Sequence, residues 1–116
     1  MRRLFLALAA LAATTSAQAS GLTIPLASGV AIEHTQAVYQ CPDGDIPVSY
    51  INAGSIALAV LEIDGQQIVA ANVLSASGAR FAGAQYIWWT KGDKAMLYDI
   101  MKGGEDAPVA TCMQRD

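Results

Sequence analysis

The sequence predicts an all-β domain, a small antiparallel barrel or sandwich of about eight short strands. Turn signals built on glycine, proline and aspartate recur at intervals of about 8–12 residues from residue 42 onward. Between them the apolar residues alternate in short runs, and nowhere do capping residues and a 3.6-residue period coincide over three turns. Alanine is abundant (Ala57, Ala59, Ala70, Ala71) and favours helix mildly, but the turn signals outweigh it. Cys41 and Cys112 lie in the first and last predicted strands, so closing the sheet would lay them side by side.

Residues 1–19 read as a secretory signal peptide. Arg2 and Arg3 supply the positive start, residues 4–13 the apolar run, and Ala17-Gln18-Ala19 the small-x-small pattern before Ser20. The run is too short to span a membrane, and no cysteine stands near the cleavage site to accept lipid. A soluble protein starting at Ser20 in an exported compartment, without a stable membrane anchor, is therefore expected. Cleavage after Ala19 leaves 97 of the 116 residues, one domain by length. The formal charge of −3 becomes −5 once Arg2 and Arg3 leave. Such a domain has no basic surface for nucleic acid and is drawn to cationic partners. In an exported chain the two cysteines are expected to form one disulfide. The only histidine is His34, so neither a metal site nor a cofactor is expected.

Taken in order, residues 20–32 carry Gly21, Pro25 and Gly29 without a clear period and read as a partly ordered leader; the domain proper is assigned to 33–116. Strands are expected at 34–41, ending at Pro42-Asp43-Gly44-Asp45, and at 46–52, ending at Ala53-Gly54-Ser55. The richer run 56–63 closes at Asp64-Gly65, a strong two-residue hairpin signal, and 66–74 returns to Ser77-Gly78. Residues 80–82, a break at Gly83-Ala84, then 85–90, 93–101 and 108–113 complete the set, with a polar loop at 102–106.

In an up-and-down arrangement successive turns alternate between the two ends. The Ser77-Gly78 and Lys91-Gly92 turns then fall together, opposite Asp64-Gly65. Each sets a chemically useful side chain beside a glycine, and Trp88-Trp89 precedes the second turn. Adjacent tryptophans on a strand face opposite sides, one to the core and one outward near the tip. The pair of turns reads as a plug for another protein's cleft. The plainer readings are a solvated turn lysine for Lys91, a hydroxyl bonding its own backbone for Ser77, and an exposed surface residue for Arg80.

The residues Ser75-Ala76-Ser77-Gly78-Ala79-Arg80-Phe81 and Trp88-Trp89-Thr90-Lys91-Gly92-Asp93-Lys94-Ala95-Met96-Leu97 resemble the MliC/PliC family of bacterial inhibitors of C-type lysozyme. The likeness extends to Tyr39-Gln40-Cys41, to Val48-Ser49-Tyr50-Ile51-Asn52 and to Cys112, most of the domain. The resemblance implies an eight-stranded antiparallel barrel with one disulfide, Cys41–Cys112. It implies that Ser77 and Lys91 contact the catalytic carboxylates of the lysozyme, with Gly78, Gly92, Arg80, Phe81 and Trp89 completing the binding surface. Phe81 stands where the family usually has tyrosine, and Lys94 where an acidic residue is common; the missing lipid-acceptor cysteine matches the soluble periplasmic branch.

A retaining lysozyme sets a proton-donating carboxyl a few ångströms from a carboxylate nucleophile. An ammonium complements the ionised group, and a hydroxyl can donate to one carboxyl while accepting from the other. An inhibitor, not an enzyme, is the expected class. The chief alternative, a Ser77–Lys91 hydrolase pair, requires a lysine neutralised by burial or by a second cation, which a glycine turn at a barrel end does not supply. A small-ligand carrier is the other alternative, but eight strands in so short a chain leave an interior just filled by side chains.

Overall fold

Asp64 and Gly65 both take positive φ, 50° and 75°, the twist that joins two antiparallel strands through a two-residue turn. The computed structural model, which describes residues 7–15 and 20–116, joins most of its strands by two-residue reversals. Eight strands follow in order: β1 (Ile32–Cys41), β2 (Gly44–Ala53), β3 (Ile56–Ile63), β4 (Gln66–Val73), β5 (Ala79–Gly83), β6 (Tyr86–Lys91), β7 (Lys94–Asp99) and β8 (Ala110–Gln114). Each pairs antiparallel with the next, and β8 pairs with β1 to close the barrel. The charged start and the cleavage site of the expected signal peptide lie outside the described residues.

Alternation decides what faces inward. Val48, Leu61 and Ile68 are cross-strand partners and all buried, as are Tyr39 and Ile46 in the β1–β2 ladder. Trp88 is fully buried against Tyr39, with ring centroids 5.0 Å apart and nearly perpendicular. Its indole N–H donates to the Tyr50 hydroxyl at 2.9 Å, and the Tyr39 and Tyr50 hydroxyls share a further hydrogen bond of 2.8 Å. Burial pushes the Tyr50 phenol well above its ordinary range, with the Tyr39 hydrogen bond adding in the same direction.

The seam of the barrel is its weakest ladder. β1 and β2 pair along their whole length, from Ile32↔Ala53 to Cys41↔Gly44, whereas the β1–β8 ladder consists of Tyr39↔Gln114 and Gln40↔Met113. The Arg115 amide extends it by one bond to the Val38 carbonyl, 2.8 Å. The Cys41–Cys112 disulfide lies across this seam, its Cα atoms 4.4 Å apart. Closing a loop of 71 residues, it contributes about 4 kcal/mol in the chain-entropy picture.

The strand limits depart from the sequence reading at identifiable places. β1 begins at Ile32, inside the stretch assigned to the leader. The reversal after β5 is Ala84-Gln85, with Ala84 at φ 49°, and Gly83 stays in the strand. A Cβ on Gly83 would lie 2.4 Å from the Val69 carbonyl oxygen, so this glycine answers a close approach of β4, not a turn. The β6–β7 loop is Gly92-Asp93, with Lys91 closing β6 and pairing with Lys94. β7 stops at Asp99, two residues early, because the Asp99 carboxylate takes the Met101 amide at 2.9 Å together with the Gln85 side-chain amide. β8 begins at Ala110, so Pro108 and Val109 belong to the loop.

Candidate functional site

The β2–β3, β4–β5 and β6–β7 connections lie at one end of the barrel; the β1–β2, β3–β4, β5–β6 and β7–β8 connections lie at the other. The first end, the tip, brings Ser77-Gly78 against the end of β6. A Cβ on Gly78 would lie 2.2 Å from the Thr90 carbonyl oxygen and 2.8 Å from Lys91 Cγ, and its φ is +67°. Glycine is therefore required there twice over, by conformation and by contact. The Ser75 hydroxyl donates to the Gly78 carbonyl at 3.1 Å and closes the loop on itself. The Thr90 hydroxyl donates to the Ala79 carbonyl at 3.4 Å, across the β5–β6 ladder.

Gly92, at φ +59°, occupies the first position of the two-residue loop, where the positive φ of a II′ reversal falls. Ser77 and Lys91 are both exposed, as are the two glycines beside them. Lys91 stands two residues after Trp89, hence on the same outward face, and its ammonium sits 4.7 Å from the centre of the indole. The Trp89 indole N–H donates to the Ser77 carbonyl at 2.8 Å. Trp89 thus touches both turns. Trp88, its neighbour, fills the core, so the two tryptophans divide as alternation requires.

Arg80 does not stand free at the rim. Its guanidinium pairs with Glu105 and lies 5.8 Å from the Trp89 ring centre. Phe81 is a correction to the sequence reading: it is 6% exposed, faces inward and leans on Tyr50 at 5.7 Å. Arg80 points out of the barrel, so the next residue must point in. The tyrosine-to-phenylalanine departure therefore lies in the core.

The loop 100–109 holds the residues that sequence reasoning missed. It starts at the far end, anchored by the Ile100 amide on the Gln85 carbonyl (2.8 Å), and rejoins the sheet where the Val109 amide meets the Leu97 carbonyl (2.8 Å). Between these points Glu105 reaches Arg80. Ile87 and Tyr98 are cross-strand partners on the outer face, yet they are only 6% and 9% exposed. The signal available was that β6 and β7 are apolar on both faces, which marks strands covered on both sides.

This geometry defines a class: a disulfide-closed antiparallel barrel that presents two glycine turns, a serine and a lysine from one end. The comparisons with known proteins give the family. The profile of MliC, "Membrane-bound lysozyme-inhibitor of c-type lysozyme", matches residues 39–106, and the chain belongs to that family. A membrane-bound lysozyme inhibitor of C-type lysozyme from Pseudomonas aeruginosa is 44% identical over 103 residues, covering 86% of this chain and 79% of the relative. One of the same name from Cupriavidus necator is 40% identical over 111 residues, covering 93% and 85%. Among solved structures, Pseudomonas aeruginosa MliC in complex with hen egg white lysozyme matches with a TM-score of 0.69 and 37% identity, over 84% of this chain and 99% of the other. The family is one of inhibitors and not of enzymes.

Proposed function

We propose that the protein inhibits C-type lysozyme by inserting the Ser77 and Lys91 turns into the catalytic cleft. The observation that carries this reading is the convergence of the two turns: the Ser77-Gly78 loop rests on Thr90 and Lys91, and both functional side chains project into solvent from one rigid edge. The Lys91 ammonium neutralises the ionised carboxylate of the cleft and hydrogen-bonds it. The Ser77 hydroxyl bridges to the protonated partner, and together they occupy the volume in which the sugar reacts. The net acidic surface of the domain favours encounter with a cationic lysozyme, while the local cations at the tip match the cleft.

The protein acts in the cell envelope, and we propose a soluble periplasmic form. The relatives are named membrane-bound. Here the sequence holds two cysteines, and the disulfide takes both, so neither remains to carry lipid. Titrating the purified protein against C-, G- and I-type lysozymes in a cell-wall lysis assay tests the function. Selective inhibition of the C-type enzyme is expected; equal inhibition of all three, or of none, overturns it. Cell fractionation and intact mass test the form, and a lipid-sized increment in mass would refute solubility.

A further inference from the structure

We infer that Glu105 and Trp89 are positioning residues of the inhibitory tip, linked through Arg80 into one relay. This inference rests on the function proposed above. The relay runs from the β7–β8 loop to both turns. Glu105 holds the Arg80 guanidinium, which lies 5.8 Å from the Trp89 ring centre. The indole then fixes the two groups that matter: its N–H holds the Ser77 carbonyl at 2.8 Å, and its ring carries the Lys91 ammonium at 4.7 Å.

Each link has a physical reason. A lysine side chain has four rotatable bonds, and ordering it on binding is costly unless it is ordered beforehand. The indole offers the ammonium a seat that keeps it charged and directed outward. Lys94 stands directly opposite Lys91 across the β6–β7 ladder, and like charges so placed repel, which favours the position over the ring. The ring also has Arg80 beside it, a second cation that would repel Lys91. Glu105 compensates that charge. Arg80 is the more buried member of the pair, with 21% of its side chain exposed against 57% for Glu105, so its charge is screened less by water and more by this carboxylate.

The test joins binding to a readout in the free protein. Glu105→Gln keeps the shape of the loop and removes its charge; Trp89→Phe keeps a ring under Lys91 and removes the indole N–H; Trp89→Leu removes both. By NMR, the parent's indole N–H should exchange slowly with solvent, and the Lys91 ε-methylene protons should show an upfield ring-current shift. Trp89→Phe should keep that shift and Trp89→Leu should abolish it. Glu105→Gln should speed indole exchange.

Against hen egg white lysozyme, Trp89→Phe should weaken binding roughly ten-fold through the lost hydrogen bond. Glu105→Gln should weaken it about three-fold, less so at high salt. In a Ser77→Ala background the Trp89→Phe penalty should shrink, because the hydroxyl that the indole N–H positions is gone. An unchanged penalty there would mean that Trp89 touches the lysozyme itself, and would overturn the positioning role. Parental exchange and shift values in Glu105→Gln would remove Glu105 from the relay. If Lys91→Ala binds like the parent, the proposed function fails, while the free-protein measurements still decide the relay.

Discussion

The two ends of the barrel are made by the same kind of reversal and do opposite things with their polar groups. At the far end two acids are answered within the chain. The Asp99 carboxylate, 3% exposed, is held by Gln85 and the Met101 amide, and Asp45 pairs with Arg115. The disulfide closes the seam between β1 and β8. At the tip, among the described residues, neither Lys91 nor Lys94 forms an ion pair. One end uses these groups for stability; in the function proposed above, the other keeps its lysines for a partner. The order that keeps the tip rigid comes from backbone packing and an indole, neither of which consumes the lysine's charge.

The sharpest way to break this contrast is Lys91→Ala. Removing it should cost about 2–5 kcal/mol of binding to a C-type lysozyme, because a carboxylate of the cleft stays buried without its partner. That is about 30- to several-thousand-fold in an inhibition titration, with the melting temperature unchanged. Ser77→Ala should cost about 1–3 kcal/mol, and the two losses should be non-additive because both groups address the same carboxylates. Parental inhibition by both variants would sink the plug.

Breaking the far end should do the converse. Reduction of Cys41–Cys112 should lower stability by about 4 kcal/mol, seen as a clear fall in melting temperature. Affinity measured well below that temperature should hold within a few-fold, since the disulfide lies at the seam and not at the tip. A large loss of affinity in a still-folded reduced protein would show that the two ends are coupled.

Between the ends, the Tyr39–Tyr50–Trp88 cluster gives a pH signature. The folded state keeps the Tyr50 phenol neutral above the pH, about 10, at which an unfolded tyrosine ionises. Its contribution is complete below that pH and is lost progressively as pH rises beyond it. Tyr50→Phe should flatten this alkaline decline and lower stability at neutral pH by about 1–3 kcal/mol, because the Trp88 N–H loses its acceptor. Alkaline unfolding curves of the two proteins check it. The smallest effect is expected from Lys102→Ala, at the far end, which should change inhibition less than a few-fold.

Much of this was legible because it is local. Asp64-Gly65 announces its hairpin since few residue pairs accept two positive φ values in succession. The two-residue period set Val48 and Tyr50 on one face of their strand and the two tryptophans on opposite faces of theirs. Antiparallel order then placed Ser77-Gly78 beside Lys91-Gly92 without any knowledge of side chains. What was not legible is non-local. Gly83 reads as a turn residue, yet its reason is the passing backbone of β4 at Val69. Phe81 was assigned to the surface by the motif around it, against the alternation that places it inside. Glu105 reads as one more solvated acid in a polar loop, and nothing in residues 100–109 states that they return along the outside of the sheet to Arg80.

The point at which the chain enters the barrel has a mechanical consequence. Ile32 pairs with Ala53, just before the β2–β3 reversal, so the polypeptide joins the barrel at the same end as the plug. Residues 20–31, without regular structure, reach about 40 Å when drawn straight. A barrel leashed to a bilayer through that segment would hang with its plug turned toward the surface it is leashed to, and would have to swing on the leash to meet an enzyme arriving from beyond. A barrel released from any leash meets that enzyme from every direction. Where a working face and a point of attachment share one pole, release from the leash is a gain in reach.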